Sequence, residues 1–293
     1  MSQPDSDTEA PSAMESATAT SAPGALVYRH RLATRIWHWT NAFAVFILLM
    51  SGLMIFNAHP ALYWGQYGAN YDTPWLKIGA NQTAGFVEIG GLRVTTTGVL
   101  GRWKDPEGVT QTRAFPHWAT IPSRYDLAGA RRWHLAFAWL FAVSIIVFWI
   151  VSLANRHVQR DLRPRRMELS PRHIWHDIVE HAKLRFPIGE AALRYNILQK
   201  LSYVGMIFVV LPLLILTGLT MSPGMNAAWP WLLDIFGGRQ SARSIHFIAA
   251  GLTALFIIIH LLMVMLAGPI NEIRSMITGR FRVPVAKTVE SKP

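Results

Sequence analysis

Four stretches of the chain, at 36–56, 135–154, 204–221 and 245–267, are apolar almost without a break, and the polar positions are gathered between them. Each stretch is close to the roughly 20 residues a helix needs to cross a bilayer. Their interiors carry almost no charge. The pattern predicts an all-α membrane protein, a four-transmembrane-helix bundle. Charged residues make up 15% of the 293 positions, against roughly 25% in soluble domains, which favours spans over the buried helices of a soluble protein.

The polar segments divide the rest of the chain. Residues 1–24 are rich in Ser, Ala, Thr and Pro, with Asp5, Asp7, Glu9 and Glu15; such a segment is too polar to fold alone and is expected to be disordered. It has no basic start followed by an apolar run, so it does not read as a signal peptide. The connection at 57–132 is long and contains a β-like stretch, GGLRVTTTGVLGRW. It predicts a small folded cap, because long connections in compact proteins are functional or disordered. The segment 155–194 carries Arg156, Arg160, Arg163, Arg165, Arg166, Arg172, Lys183, Arg185 and Arg194. Within it, Ile174, Trp175, Ile178, Val179 and Ala182 recur at helical spacing, the pattern of a short amphipathic helix lying on a membrane surface. A Trp-rich link at 222–242 and a polar, basic tail at 271–293 complete the chain. The membrane domain thus runs from 25 to 270.

Lysine and arginine accumulate on the cytoplasmic side of membrane proteins. The basic connection and both termini are therefore expected in the cytoplasm, with the 57–132 cap and the 222–242 link outside. The net charge of +11 is explained by these basic loops facing anionic lipid, with no nucleic acid required.

Four of the eleven histidines lie at the ends of apolar runs: His38, His134, His246 and His260. The last two share one run, fourteen residues apart. At about 100° and 1.5 Å per residue, they return to within about 40° of one helix face, roughly 21 Å apart. One face thus offers an imidazole near each side of a hydrocarbon core about 30 Å thick. With the topology above, His38 and His260 fall in a cytoplasmic layer, and His134 and His246 in an outer one. His260 stands about seven residues inside its run, and His38 nearer the edge of its own. Each pair is a candidate for the two axial ligands of one haem iron, with no position left open for oxygen chemistry. Arg35, Arg131 and Arg132 stand beside the candidates and suit haem propionates, although basic residues also flank spans for purely topological reasons. Gly52, Gly205, Gly218 and Gly251 suit close approach of a macrocycle or a helix. The other seven histidines, His30, His59, His117, His157, His173, His176 and His181, read as surface or loop residues.

The chain has no cysteine. Disulfides, thiolate iron–sulfur or zinc sites and covalently attached c-type haem are thereby excluded from it. No nucleophile–base set or phosphate loop appears, so an independent enzyme is not indicated. Alternatives to electron transfer are a membrane transporter using these histidines for metal or protons, against which the spans lack acidic or lysine relays, and a purely structural anchor for a partner enzyme.

The stretch RLATRIWHWTNAFAVFILLMSGLMI, with Arg35, His38, Trp39, Ser51 and Gly52, resembles the first helix of the bacterial b-type cytochromes that serve nickel–iron hydrogenase, formate dehydrogenase and thiosulfate reductase. The helix 4 histidines are similar to those of the formate dehydrogenase gamma subunit, and RYNILQK resembles its quinone-side motif. The likeness covers about 30–270; the long cap departs from it and is closer to the thiosulfate reductase-like members. The resemblance implies two b haems on the four histidines, and a quinone near the cytoplasmic haem with Asn196, Gln199 and Lys200 close to its carbonyl. It further implies a bacterial inner-membrane location and a periplasmic redox partner, a molybdopterin oxidoreductase being the first choice. Asn196 and Gln199, three apart, share a helix face at the membrane edge and suit a quinone oxygen; they equally suit helix capping.

Overall fold

The computed structural model describes residues 24–284 except 70, 157, 159–161, 166 and 184–194. The segment 1–23, expected to be disordered, and the basic positions Arg160, Arg166, Arg185 and Arg194 lie outside the described residues.

Strand β1 (Leu26–Tyr28) leads into α1 (Leu32–Phe56), the first span. The second span, α2 (Leu127–Ala154), is started by Asp126, whose carboxylate accepts the Gly129 amide at 2.8 Å, an N-cap that satisfies one of the free donors of the first turn. Between them lies the cap. Its strands β2 (Ala61–Leu62), β3 (Leu76–Ala80), β4 (Gly85–Ile89) and β5 (Leu92–Thr95) form one antiparallel sheet in sequence order, and β6 (Trp103–Lys104) pairs with β7 (Thr110–Gln111). In β3, Leu76 and Ile78 are buried while Lys77 between them is exposed, the period-two pattern of a sheet with one covered face. Phe56, Leu62, Leu76, Ile78 and Ala114 form the cap's core, with Phe247 of the fourth span packed against it.

After α2 comes the short helix α3 (Pro171–Ala182), at the position expected for an amphipathic helix. Trp175 and Ile178 are exposed on it, as a helix lying in a lipid interface requires. The third span begins at Ile197, seven residues before the expected boundary, and runs through α4 (Ile197–Gly205), a π-helical turn at Met206–Val210 and α5 (Leu211–Met221). Pro212 accounts for the irregular turn: it has no amide to donate, and its ring would collide with the carbonyl four residues back. Two short helices, α6 (Pro223–Ala228) and α7 (Pro230–Ile235), lead to the fourth span, α8 (Arg239–Ala267). Gly268, at φ +112°, ends it in a conformation that a side chain would strain. The described part of the polar segment from 271 is folded: α9 (Pro269–Thr278) is followed by β8 (Arg280–Arg282), which pairs with β1.

The membrane domain is all-α, with four long apolar spans and an extended cap between the first two. Spans one and two pack along each other, as do three and four; Ala44, Phe141, Ile145 and Leu211 join the first three in one buried cluster. Large apolar side chains such as Val143, Ile146, Val147 and Ile150 on α2 and Ile258, Leu262 and Met265 on α8 point outward, the surface a multi-pass membrane protein presents to lipid.

The cap is fastened to the helices by polar side chains. Asn57, at the end of α1, accepts the Phe115 amide at 2.7 Å and donates to its carbonyl at 3.2 Å. Asn57→Leu leaves both Phe115 groups without that partner, at a cost of about 2 kcal/mol. The expected outcome is faster proteolytic cleavage within the cap while the spans stay intact.

Candidate functional site

The rings of His38 and His260 face each other with centroids 6.3 Å apart, and those of His134 and His246 are 6.2 Å apart. These are the same two pairs that the topology set together from sequence. The mismatch in depth disappears: α1 begins at Leu32, so His38 lies six residues inside it, while His260 lies seven from the end of α8.

The outer pair, on the cap side, is held alike on both rings. Ser51 of α1 meets His134 Nδ1 at 3.0 Å, and Thr217 of α5 meets His246 Nδ1 at 3.0 Å. Each hydroxyl sits on the span preceding its histidine and is followed by a glycine. A Cβ on Gly52 would stand 3.4 Å from His134 Cε1, and one on Gly218 would stand 3.5 Å from His246 Cε1. Both rings thus pass close to the glycine, where an added Cβ would just touch them. Gly205 and Gly251 have no such neighbour.

The inner pair, on the side of the termini, is built from aromatic contacts. Trp39 stands edge-on to His38, Phe256 stacks beside His260 with its plane tilted by only 8°, and Tyr203 meets Phe256 edge-on. Among the described residues, neither His38 Nδ1 nor Nε of Arg35, both buried, has a hydrogen-bond partner. At the outer end, Arg131 and Arg132 are exposed, and Arg132 lines a shallow cavity of about 310 Å³ with Trp133 and Phe137. Among the described residues, no group of three or more His, Asp or Glu side chains gathers as a metal site would require.

Asn196 and Gln199 are engaged with each other. Asn196 Oδ1 accepts the Gln199 amide at 2.9 Å, Gln199 Oε1 accepts the Asn196 amide at 3.3 Å, and together they form a capping box that starts α4. Lys200 is buried and donates to both oxygens of Glu168 at 2.8 Å. Sequence reasoning had no signal for Glu168, which lies 32 residues away in the basic connection. It also passed over Arg243, which donates to the carbonyls of His59 and Ala61 and ties the cap to α8 one turn before His246. Ser241 and Ser244 add hydrogen bonds to Gly65 and Tyr63. A polar cluster of three residues at the start of an otherwise apolar span was the available signal.

A family model described as prokaryotic cytochrome b561 matches residues 29–279. The chain belongs to this family. As a cytochrome b561-family chain it has haem-binding capacity and a cytochrome-b-like role in electron transfer within a membrane helix bundle. It is 25% identical to the "Putative protein-methionine-sulfoxide reductase subunit YedZ1" of Azospira oryzae, over 79% of this chain and 87% of that one. It is 19% identical to the "Probable Ni/Fe-hydrogenase B-type cytochrome subunit" of Cupriavidus necator, over 80% of this chain and 76% of that one. No solved structure matches.

Burial opposes ionisation of Glu168, but the hydrogen bonds from Lys200 and the Arg165 amide, with the charge of Lys200, outweigh it and hold the carboxyl below the usual glutamate range. The stabilisation it contributes is therefore complete above the ordinary glutamate pKa and is lost as pH falls through the lowered folded value. Lys200→Met is expected to lower the thermal midpoint in detergent at neutral pH, with the gap to wild type closing on acidification.

Proposed function

We propose that the protein is a membrane cytochrome b subunit that binds two b haems and passes electrons between a periplasmic oxidoreductase and the quinone pool. The observation that carries this reading is the separation of the paired imidazoles. A metal–imidazole bond is about 2.0 Å and the ligating nitrogen stands roughly 1.1 Å from its ring centroid, so an iron held between two imidazoles separates the centroids by about 6.2 Å. The two pairs stand at 6.2 and 6.3 Å. Two protein ligands at each level, without a third acidic or histidine group among the described residues, suit an iron whose remaining positions are filled by a porphyrin.

In this reading His134 and His246 hold the outer haem and His38 and His260 the inner one. The haems supply reversible one-electron chemistry. The chain's own contribution is to fix the four imidazoles, exclude water between apolar helices and supply cations for the propionates. Arg35, with its unpaired buried Nε, serves the inner level, and Arg131 and Arg132 the outer.

Both termini and α3 are placed in the cytoplasm of a bacterium and the cap in the periplasm. The dense basic charge of 155–194 supports this orientation. A haem held by His134 and His246 would lie on the partner's side, and one held by His38 and His260 on the quinone's side. Both relatives are named as subunits, of a reductase and of a hydrogenase, which supports a catalytic partner; a molybdopterin oxidoreductase is the first candidate. Moving one charge across the membrane is worth about 2.3 kcal/mol per 100 mV, so inward electron flow with proton uptake inside would store energy. Asn196 and Gln199, whose capping box starts the third span, would turn their amide N–H groups to the quinone oxygen.

The layers are tested by substitution. His260→Ala is expected to lose the inner haem and keep most of the outer one, and His246→Ala the reverse, as read from haem content and the two steps of a redox titration; loss of both haems from either folded variant contradicts the paired layers. A second series separates quinone contact from capping. Asn196→Ser keeps the cap acceptor but removes the amide donors. Slower quinone turnover with normal thermal stability is expected for it, whereas Asn196→Ala loses both properties. Normal turnover in Asn196→Ser removes Asn196 from the quinone site.

A further inference from the structure

The outer histidines are held by a repeated device. In the first and third spans a hydroxyl residue precedes a glycine, as Ser51–Gly52 and Thr217–Gly218, and the next span supplies the imidazole. A hydroxyl has one hydrogen to give. Ser51 gives it to the Ile47 carbonyl at 2.6 Å, and Thr217 gives it to the Leu213 carbonyl at 2.6 Å. Each oxygen can then only accept from the imidazole nitrogen 3.0 Å away, so Nδ1 of His134 and of His246 must carry its proton. Among the described residues the inner pair has no equivalent: His38 Nδ1 has no hydrogen-bond partner there.

We propose that Ser51 and Thr217 are positioning residues of the outer level, which fix both imidazoles as Nδ1–H tautomers with Nε2 free to bind iron, and which hold the potential of that iron down relative to the inner one. The inference rests on the two-haem reading above. Hydrogen bonding from the far nitrogen makes a ligating imidazole more basic and fixes its orientation. A more basic ligand stabilises the oxidised, more positive iron. The hydroxyl dipoles near the rings act in the same direction, since a polar surrounding favours the more charged state. Both effects bias an electron arriving at the cap-side level toward the level on the side of the termini.

The test is a spectroscopically monitored redox titration of the purified full-length protein, wild type beside Ser51→Ala, Thr217→Val, Ser51→Thr and Thr217→Ser. Every variant keeps all four histidines, so haem is expected to be retained. Ser51→Ala and Thr217→Val should each move the same one of the two midpoints upward and leave the other in place. Ser51→Thr and Thr217→Ser, which keep the hydroxyl, should titrate like wild type. Haem-replete variants with unchanged midpoints, or the same shift in the hydroxyl-keeping pair, overturn the proposal and leave the two-haem reading standing. Absence of haem from folded wild-type protein overturns both. If Ser51→Ala does not fold, Thr217→Val decides the question on the other ligand.

Discussion

A polar ring inside an apolar helix bundle must find partners for its nitrogens, because leaving one unpaired costs on the order of 2 kcal/mol or more. Four imidazoles stand in the spans of this chain in two facing pairs; the outer two meet that demand through Ser51 and Thr217, and much of the architecture follows from keeping all four in place. The outer rings turn Nδ1 to a hydroxyl and stand with their centroids 6.2 Å apart. The inner rings are placed by Trp39 and Phe256. Fourteen residues of α8 link one level to the other, so a single rigid helix fixes the distance between them.

The remaining elements keep the levels in register. Spans one and two form one packed couple and spans three and four another, and each couple contributes one ring to the outer level through the same hydroxyl–glycine step. The cap is joined to the start of α8 through Ser241, Arg243 and Ser244, and to the end of α1 through Asn57. It therefore sits over the outer pair as a fixed part of the protein. On the opposite side, β1 pairs with β8, and Trp39, the neighbour of His38, donates to the Met276 carbonyl at 3.1 Å. The chain ends are thus drawn in beside the inner pair.

Much of this was legible in the sequence because it depends on periodicity. Apolar runs set the spans, the fourteen-residue interval set two rings on one face of α8, and alternating sides set the pairs. The start of the third span was missed because Ile197–Gly205 is amphipathic, with Gln199, Lys200 and Ser202 diluting its apolar character, while the helix is begun by a cap rather than by hydrophobicity. The segment beyond 271 read as a tail because its partner strand, Leu26–Tyr28, is some 250 residues away and short strands carry almost no local signal. Glu168, Ser51 and Thr217 act through side-chain contacts across distant segments, which spacing within one helix does not reveal. The capping of α4 by Asn196 and Gln199 was one of two readings that their spacing allowed, and the geometry gives their side-chain oxygens to the helix end.

The central claim is that each facing pair of imidazoles holds one b haem. A dithionite-reduced minus oxidised absorbance spectrum of the purified protein, with haem quantified per chain, tests it most directly. The account predicts a b-type α band and about two haems per chain. Folded protein without haem, produced with ample haem supply, would contradict it.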